Sequence, residues 1–589
     1  MHDAAAWVRA NAIPLATVEA GNGFADLEPL RQIIGDARVV SLGEATHGTR
    51  EFFQLKHRLL EFCVAELGFT VFGIEASYPE CLRINDYVLH GKGNAADALA
   101  GQRFWTWDTE EVIALIEWMR GWNRTHARPV KFYGFDMQFP AEATLTVLDY
   151  LERVAPELAT GGAAALWPLS DDFSAFRFAW LPAATRAAAL AEIERLRKAF
   201  AHQRASWVAA TSAIDWHFAR IGLDVLGQSA ALHLAMADPV SPPMSPRDVP
   251  MAENVMALLD AEGPEAKAVL WAHNGHVEKE HRYRTRDQQP DANMGSHLDK
   301  LLGHRHVVVG FAFNQGSFQA RGPDGALVSH TVGPAPEGGL DRALAAAEFP
   351  LFLLPTTAAP ASGPVAEWLG TRPQARCIGA VYSAASTEHY LAATDPRRSY
   401  DVLAFVETTT RARPTLSGQR RPGAKPKVAP APVNLELAGT GDVPDGWSWA
   451  GHRYRLAPSA EPPPAGGRGV SIMRAFAPLR WGHGVLEQAF SAEPWRGRRL
   501  RFSAAVRADA RGAGAGAQIF VEARARGEAG TLPWRPSGVG LVELPVRSPH
   551  WRRYEATIEV PEAAHAISLG LVLHGDGTAW FGDLGLAAE

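Results

Sequence analysis

Six acids and imidazoles in the first half of the chain have the residue types and spacing needed for proton transfer. They are Glu44, His47, Glu75, Asp136, His273 and His276. The spacing is three residues from Glu44 to His47 and again from His273 to His276. A histidine exchanges its proton near neutral pH, and a neighbouring carboxylate can fix its tautomer. The set therefore indicates either general acid–base chemistry or a metal site.

These residues follow short apolar runs that are typical of buried strands. The runs cover residues 39–42, 69–74, 130–135 and 268–272, and amphipathic helical stretches at 50–66, 79–89 and 109–123 separate the first three. Strands that alternate with helices pair in parallel, so their carboxyl ends meet at one edge of a sheet. Ligands of open α/β sheets bind at that edge. We therefore predict an α/β fold, a mostly parallel sheet flanked by many helices, with all six residues at one rim.

Hydrolysis by direct attack of water is one interpretation of this rim. The chain contains no Gly-x-Ser-x-Gly elbow that would supply a serine nucleophile. His47, oriented by Glu44 or Glu75, is then the candidate base that removes a proton from water. His273 and His276 are candidates for stabilising the oxyanion or protonating the leaving alkoxide.

A metal site is the other interpretation. Glu44 and His47, together with His273 and His276, offer one carboxylate and three imidazoles, enough to hold Zn²⁺ or Fe²⁺. The spacings fall in loops, however, and lack the His-x-x-x-His arrangement of a helical zinc motif. We predict no cofactor and keep a metal-dependent hydrolase as the alternative.

The motifs around these residues resemble those of the erythromycin esterase family. The matching segments include Gly43-Glu44-Ala45-Thr46-His47-Gly48, Gly73-Ile74-Glu75-Ala76, Arg247-Asp248 and Trp271-Ala272-His273-Asn274-Gly275-His276. They occur in the family's order, from about residue 30 to about residue 410. The resemblance implies that His47 is the general base for hydrolysis of a macrolide lactone without an essential metal. It also implies that Glu44, Glu75, His273 and His276 line the same cleft.

A second group of residues is predicted to contact the substrate. The group comprises Lys56, Trp105, Trp107, Asp136, Arg247 and Asn274. Lys56 stands where a better-known family member carries a basic residue. The two tryptophans could line a wide apolar cleft or form a core under a loop, and Arg247 could reach the cleft or pin a helix. Relatives in the wider superfamily and in the family suggest two further alternatives, a metal- or haem-binding protein and a polysaccharide-modifying enzyme.

Composition limits the partners and the compartment. The chain has 589 residues and a net charge of −6, which argues against a nucleic-acid surface. The three cysteines, Cys63, Cys81 and Cys377, lack metal or redox spacing. No basic leader or membrane-spanning segment is recognisable, so we expect a cytoplasmic protein with a small-molecule ester or lactone as its partner.

A change of composition divides the chain. We predict a catalytic domain over residues 1–412, a linker rich in Pro, Arg and Lys over 413–432, and an all-β sandwich over 433–589. Alternating short runs at 500–506, 518–525, 554–560, 567–573 and 580–586 predict the strands of that sandwich. Its first and last segments resemble those of jelly-roll carbohydrate-binding modules. A glycan is therefore a candidate partner of the C-terminal region.

Overall fold

The chain folds into two compact units. The computed structural model describes residues 2–170, 175–237, 245–280, 291–323, 325–415, 428–439, 441, 443–450, 454–474, 483–526, 534–541 and 546–589. The first unit comprises Met1–Met137, Pro243–Gly423 and Ala529–Thr531, and the second comprises Gln138–Pro242, Ala424–Glu528 and Leu532–Glu589. Most of the predicted linker 413–432 lies outside the described residues. The domain boundaries at 412 and 433 stay a prediction.

Both units contain α-helices. In chain order they are α1 (His2–Asn11), α2 (Leu30–Ile34), α3 (Arg50–Leu67), α4 (Leu82–His90), α5 (Ala95–Gly101), α6 (Glu110–Thr125), α7 (Ala141–Val154), α8 (Pro156–Ala165), α9 (Ala183–His202), α10 (Arg204–Ala210), α11 (Ala213–Ala235), α12 (Ser245–Glu262), α13 (Asn274–Val277), α14 (Met294–Leu302), α15 (Leu340–Ala345), α16 (Pro364–Gly370) and α17 (Pro396–Ser399). Local chemistry sets their ends. Gly68 stops α3 in the left-handed region at a φ of 72°, and the side chain of Thr109 caps α6 by accepting from the Val112 N–H.

A mostly parallel sheet forms the centre of the first unit. Its strands are β1 (Ile13–Pro14), β2 (Val39–Leu42), β3 (Val71–Ser77), β4 (Lys131–Asp136), β5 (Ala268–Trp271), β6 (His306–Arg321), β7 (Leu327–Val332), β8 (Leu351–Pro355) and β11 (Val402–Thr409), while β9 (Gln374–Arg376) and β10 (Leu391–Ala393) form a separate pair. The order is β1-β8-β11-β6-β2-β5-β3-β4, and β7 pairs with β6. All neighbours from β11 to β4 are parallel. The predicted α/β class is confirmed.

The carboxyl edge of this sheet is closely packed. Strands β2 and β5 are buried along their whole length, as expected of parallel strands covered by helices on both faces. A Cβ at position 43 would lie only 2.1 Å from Oδ1 of Asn274. Glycine is therefore required where β2 ends against the segment that follows β5.

The second unit combines helices α7 to α11 with a β-rich region. Its strands are β12 (Val428–Ala429), β13 (Ser448–Ala450), β14 (Tyr454–Pro458), β15 (Gly469–Arg474), β16 (His483–Ser491), β17 (Arg499–Arg526), β18 (Trp534–Leu541), β19 (Arg552–Glu559) and β20 (Ala566–Ala588). The predicted all-β character is confirmed. The prediction of separate short strands is wrong for four of the runs, because 500–506 and 518–525 are parts of β17, and 567–573 and 580–586 are parts of β20. Register shifts interrupt the β17–β20 pairing between Arg511 and Gly516, so the glycines there form an irregularity within a continuous strand instead of a turn.

Charged side chains are buried where the helical segment meets the β-rich region of the second unit. Arg177 donates to Oε2 of Glu522 through Nε at 2.9 Å and through Nη2 at 2.6 Å. Nε of Arg524 donates to the other oxygen of Glu522 at 2.8 Å, and Nη2 of Arg524 lies 3.1 Å from Oε2 of Glu487. The Arg177 guanidinium also lies 5.0 Å from the ring centre of Phe520. This cluster joins the two parts of the unit.

Two further expectations concern membranes and thiols. Within the described ranges, no helix has both the length and the hydropathy needed to cross a bilayer. The three cysteines are free thiols, and Cys63 and Cys81 are buried. Burial raises the pKa of the Cys63 thiol to about 12, which makes it unreactive.

Candidate active site

The parallel strands bring the predicted acids and imidazoles to one edge of the sheet. Leu42 and Ile74 are both in register with Trp271, so β2, β3 and β5 end at the same level. Glu75 and Asp136 are the late residues of β3 and β4 and lie within those strands. The other four predicted residues lie in the segments directly after β2 and β5. The prediction of a shared rim therefore matches the geometry.

Glu44 and His47 form a close buried pair. Oε1 of Glu44 lies 2.7 Å from Nδ1 of His47, and no part of Glu44 is exposed. Since a carboxylate accepts, Nδ1 donates in this contact, and the lone pair of a neutral imidazole then lies on Nε2. No described residue forms a hydrogen bond with Nε2, and 8% of His47 is exposed. The imidazole is thus oriented by a carboxylate and has one ring nitrogen available for a proton.

The second oxygen of Glu44 accepts two more hydrogen bonds. Nζ of Lys56 lies 2.6 Å from Oε2, and Nε1 of Trp271 lies 2.9 Å from the same atom. Burial lowers the pKa of Lys56 to about 8, although the charges of Glu44 and Glu75 act in the opposite direction. Lys56 is completely buried. Its ammonium therefore contacts Glu44, while the predicted contact of Lys56 with substrate stays a prediction.

A second group of charges surrounds Arg247, in the first turn of α12. Nη2 of Arg247 donates to Oε1 of Glu75 at 2.6 Å and to Oδ2 of Asp136 at 2.7 Å. Burial alone would raise the pKa of Glu75, but the positive charges of His276 and Arg247 outweigh it and hold that pKa well below its usual range. Asp136 and Glu75 likewise raise the pKa of Arg247 against the effect of burial. Glu75 and Arg247 are therefore both charged.

His276 is held in its protonated form within this group. Its Nδ1 lies 2.8 Å from Oδ2 of Asp248, and its Nε2 lies 3.3 Å from Oε1 of Glu75. Burial lowers the pKa of His276, but Asp248 and Glu75 outweigh burial and raise it to about 10. Nη1 of Arg247 approaches Nε2 at 3.0 Å. Two cations are tolerated so close together because three carboxylates neutralise them.

The residues after β5 are fixed mainly by backbone contacts. Nδ1 of His273 accepts from the Gly275 N–H at 3.2 Å, and Nε2 lies 3.2 Å from the carbonyl oxygen of Ile378. This pattern assigns the proton to Nε2 of His273. The Asn274 side chain exchanges hydrogen bonds of 2.8 and 3.1 Å with the backbone of Phe311. Asn274 therefore ties the segment to β6.

The two predicted cleft tryptophans have different surroundings. Trp107 is buried, donates from Nε1 to the Glu75 carbonyl at 2.8 Å and meets the His47 ring edge-on at 5.7 Å between centres. Trp105 is 7% exposed. Its indole makes no ring contact or hydrogen bond with the part of the chain that the structure describes. These two contacts place Trp107 against the cluster, and a role of Trp105 in the cleft stays a prediction.

Asp248 and Trp271 contact the site residues but are absent from the predicted set. Asp248 is the carboxylate on His276 and also accepts from the Met294 N–H at 3.0 Å, while Trp271 holds Glu44. Their positions in the sequence indicated that both lie near the site, because Asp248 follows Arg247 and Trp271 precedes His273 by two residues. Within the described ranges, no three His, Cys, Asp or Glu side chains are placed to share a metal ion.

A separate cavity is lined in part by residues of helices α3 and α6. It has a volume of about 450 Å³ and is lined by Glu19, Ala20, Arg50, Gln54, His57, Glu110, Glu111, Ala114 and Arg413. None of the predicted site residues contributes to its walls. The chemistry of the strand-end cluster, and not this cavity, locates the candidate active site.

Comparison with known proteins identifies the family. The family model described as erythromycin esterase matches residues 64–409, more than half of the chain. The chain belongs to the erythromycin esterase family. Erythromycin esterase type II of Escherichia coli is 29% identical over 294 residues, which is 46% of this chain and 68% of the relative. Erythromycin esterase type I of Escherichia coli is 21% identical over 300 residues, 48% of this chain and 72% of the relative.

Solved structures of other proteins have the same fold. A succinoglycan biosynthesis protein superposes with a TM-score of 0.60 at 24% identity, covering 70% of this chain and 98% of that protein. A point mutant of the erythromycin esterase EreC in its open conformation superposes with a TM-score of 0.53 at 17% identity, covering 67% of this chain and 96% of the other. At these identities the likeness establishes the fold. Membership of the erythromycin esterase family supports a hydrolase role.

Proposed function

We propose that this protein hydrolyses a carboxylic ester, with a macrolide-type lactone as the substrate class, and that His47 is the general base. The observation that carries the proposal is the 2.7 Å contact between Glu44 and Nδ1 of His47, which leaves Nε2 without a partner among the described residues. A base of this kind accelerates proton transfer by about 10²- to 10⁴-fold. The macrolide class comes from the name of the esterase relatives.

The reaction uses His47 twice. Nε2 removes a proton from water while the water oxygen forms a bond to the ester carbonyl carbon, and Glu44 stabilises the imidazolium that results. The tetrahedral intermediate then breaks its bond to the alkoxide oxygen, and the imidazolium returns the proton to that oxygen. The products are a carboxylic acid and an alcohol, so one water is added to a lactone.

The cations of the group around Arg247 supply positive charge for the oxyanion. His276 keeps its proton because Asp248 and Glu75 raise its pKa to about 10. Arg247 is charged as well, and 18% of its side chain is exposed. Fixed positive charge in a buried site stabilises a developing oxyanion without reorganisation. His273 is not counted among these oxyanion donors, because its backbone N–H already donates to Glu75 and its Nε2–H to the Ile378 carbonyl.

Mass-spectrometric turnover of a macrolide panel tests the proposal. Purified protein is incubated with macrolides of several ring sizes, with and without EDTA, beside the variant His47→Gln. His304→Gln is the matched control, since the His304 side chain is 80% exposed. A gain of one water that survives EDTA and disappears only in His47→Gln supports the proposal.

Other results of that experiment would contradict parts of it. A gain of water that EDTA abolishes would overturn the metal-free reaction and favour the metal-dependent alternative. No product from any macrolide would overturn the substrate class and direct the search to sugar esters. Full turnover by His47→Gln would remove His47 as the base.

A further inference from the structure

Trp271 is a second residue that acts on the base, and it does so through Glu44. Its side chain is completely buried at the end of β5. The indole Nε1 donates to Oε2 of Glu44 at 2.9 Å, while Oε1 of the same carboxylate holds His47 at 2.7 Å. The two oxygens of Glu44 therefore differ in function. Trp271 anchors Oε2, and Oε1 orients the His47 imidazole.

The packing around Trp271 fixes the direction of its N–H. The indole meets the Phe53 ring edge-on at 4.8 Å and the Trp107 ring edge-on at 5.6 Å between centres. Nζ of Lys56 lies 4.4 Å from the indole centre, in the range of a cation–π contact. A ring enclosed on several sides cannot rotate without displacing its neighbours. The N–H therefore remains aimed at Glu44.

Lys56 alone would anchor Glu44 less well. An ammonium is a point charge on a flexible four-carbon stem, so its single contact at 2.6 Å fixes one distance and no plane. The indole adds a second donor with a rigid direction. Two donors on Oε2 hold the carboxylate in one orientation, which keeps Oε1 directed at Nδ1 of His47.

We propose that Trp271 is a positioning residue for the hydrolysis, because its indole N–H fixes the carboxylate that orients His47. This inference rests on the proposed function and assigns a further residue to the same site. Trp271 touches neither substrate nor water in the scheme. Its effect is on the tautomer, the direction and the proton affinity of the base.

Removal of the N–H has two expected consequences. The carboxylate becomes less firmly held, so fewer molecules present Nε2 in the productive direction and kcat falls by about tenfold. The negative charge of Glu44 is also less neutralised, so it stabilises the His47 imidazolium more strongly. The pH midpoint at which His47 loses its proton therefore rises. KM stays near its original value because no substrate contact is removed.

The test compares Trp271→Phe with the control Trp7→Phe. The Trp7 indole donates to the Ala358 carbonyl at 3.2 Å and belongs to no part of the site. For each variant, kcat, KM and melting temperature are measured. The rate at which diethylpyrocarbonate modifies His47 is followed by mass spectrometry across a range of pH. The modification rate reports the protonation of His47 and needs no substrate.

We expect Trp271→Phe to lose about tenfold in kcat and to shift the modification midpoint of His47 upwards, while Trp7→Phe matches the original protein. An unchanged kcat together with an unchanged midpoint would overturn the proposal. If phenylalanine prevents folding, 3-benzothienylalanine is incorporated at position 271, since it keeps the bicyclic ring and lacks the N–H. If no macrolide is hydrolysed, the proposed function fails, and the midpoint alone still decides whether Trp271 controls His47.

Discussion

Each unit of the molecule buries a cluster of carboxylates and guanidinium groups, but only one of the clusters contains imidazoles. In the second unit, both oxygens of Glu522 are bound by arginines, which stay charged at every working pH. In the first unit, the carboxylates of Glu44 and Asp248 each hold one histidine. Burial of charge is thus shared by both clusters. The capacity to exchange a proton at Nε2 of His47 distinguishes the candidate active site.

The largest expected effect comes from Arg247→Met, which removes the central cation of the first cluster. Glu75 and Asp136 would lose their contacts of 2.6 and 2.7 Å and remain buried as anions. Breaking a buried pair in this way costs about 3–5 kcal/mol. We expect a loss of that size in the free energy of unfolding, measured with urea, together with loss of turnover. A free energy of unfolding equal to that of the original protein would show that the cluster contributes little to the stability of the fold.

His276→Gln tests the proton held by the first cluster. The pKa of His276 is raised from 6.5 to about 10, so its stabilisation is complete below pH 6.5. As pH rises, the unfolded chain releases this proton first, and the stabilisation is lost progressively up to about pH 10.

The measurement is the free energy of unfolding of both proteins between pH 6.5 and 8, a range in which the titration of Lys56, whose pKa is about 8, affects both alike. The free energy of unfolding of the original protein should fall by at most about 1.4 kcal/mol per pH unit through His276. The variant should be less stable throughout and have a flatter pH dependence. Identical slopes in the two proteins would mean that His276 is neutral.

Arg177→Met tests the second cluster and should have a smaller effect. Arg524 still donates to Glu522 in this variant, so the buried carboxylate keeps one of its two arginine partners. We expect a loss of about 1–3 kcal/mol in the free energy of unfolding, with kcat unchanged below the unfolding transition. Loss of kcat without unfolding would contradict the assignment of the second cluster to structure.

The smallest effect is expected for Arg501→Gln, on the same strand β17. Arg501 pairs with Glu555 at 3.2 Å, and the two side chains are 40% and 47% exposed. Solvent-exposed pairs contribute about 0–1 kcal/mol. The variant therefore serves as the baseline for Arg177→Met, and a larger loss than Arg177→Met would show that burial does not determine these energies.

Local patterns in the sequence were sufficient to predict the parallel sheet and the rim. The apolar runs before Glu44 and Glu75 defined two strands, and parallel pairing then required their ends to meet. The Glu44–His47 contact was also accessible, since three residues of loop allow the two side chains to touch. These features depend on short-range spacing.

Long-range contacts were less accessible. Asp248 and Trp271 reach the site from α12 and β5, and no spacing in the sequence indicates that one faces His276 and the other Glu44. The burial of Lys56 depends on its contacts with β5 and β6. The runs 500–506 and 518–525 were predicted as separate short strands, because glycines between two alternating runs are as typical of a turn as of a bulge within one long strand.

The most direct test is kcat/KM for the hydrolysed lactone, measured for the original protein and for His47→Gln. In His47→Gln we predict a loss of about 10²- to 10⁴-fold, with a melting temperature near that of the original protein. Retained kcat/KM in a folded His47→Gln variant would contradict the assignment of His47 as the base.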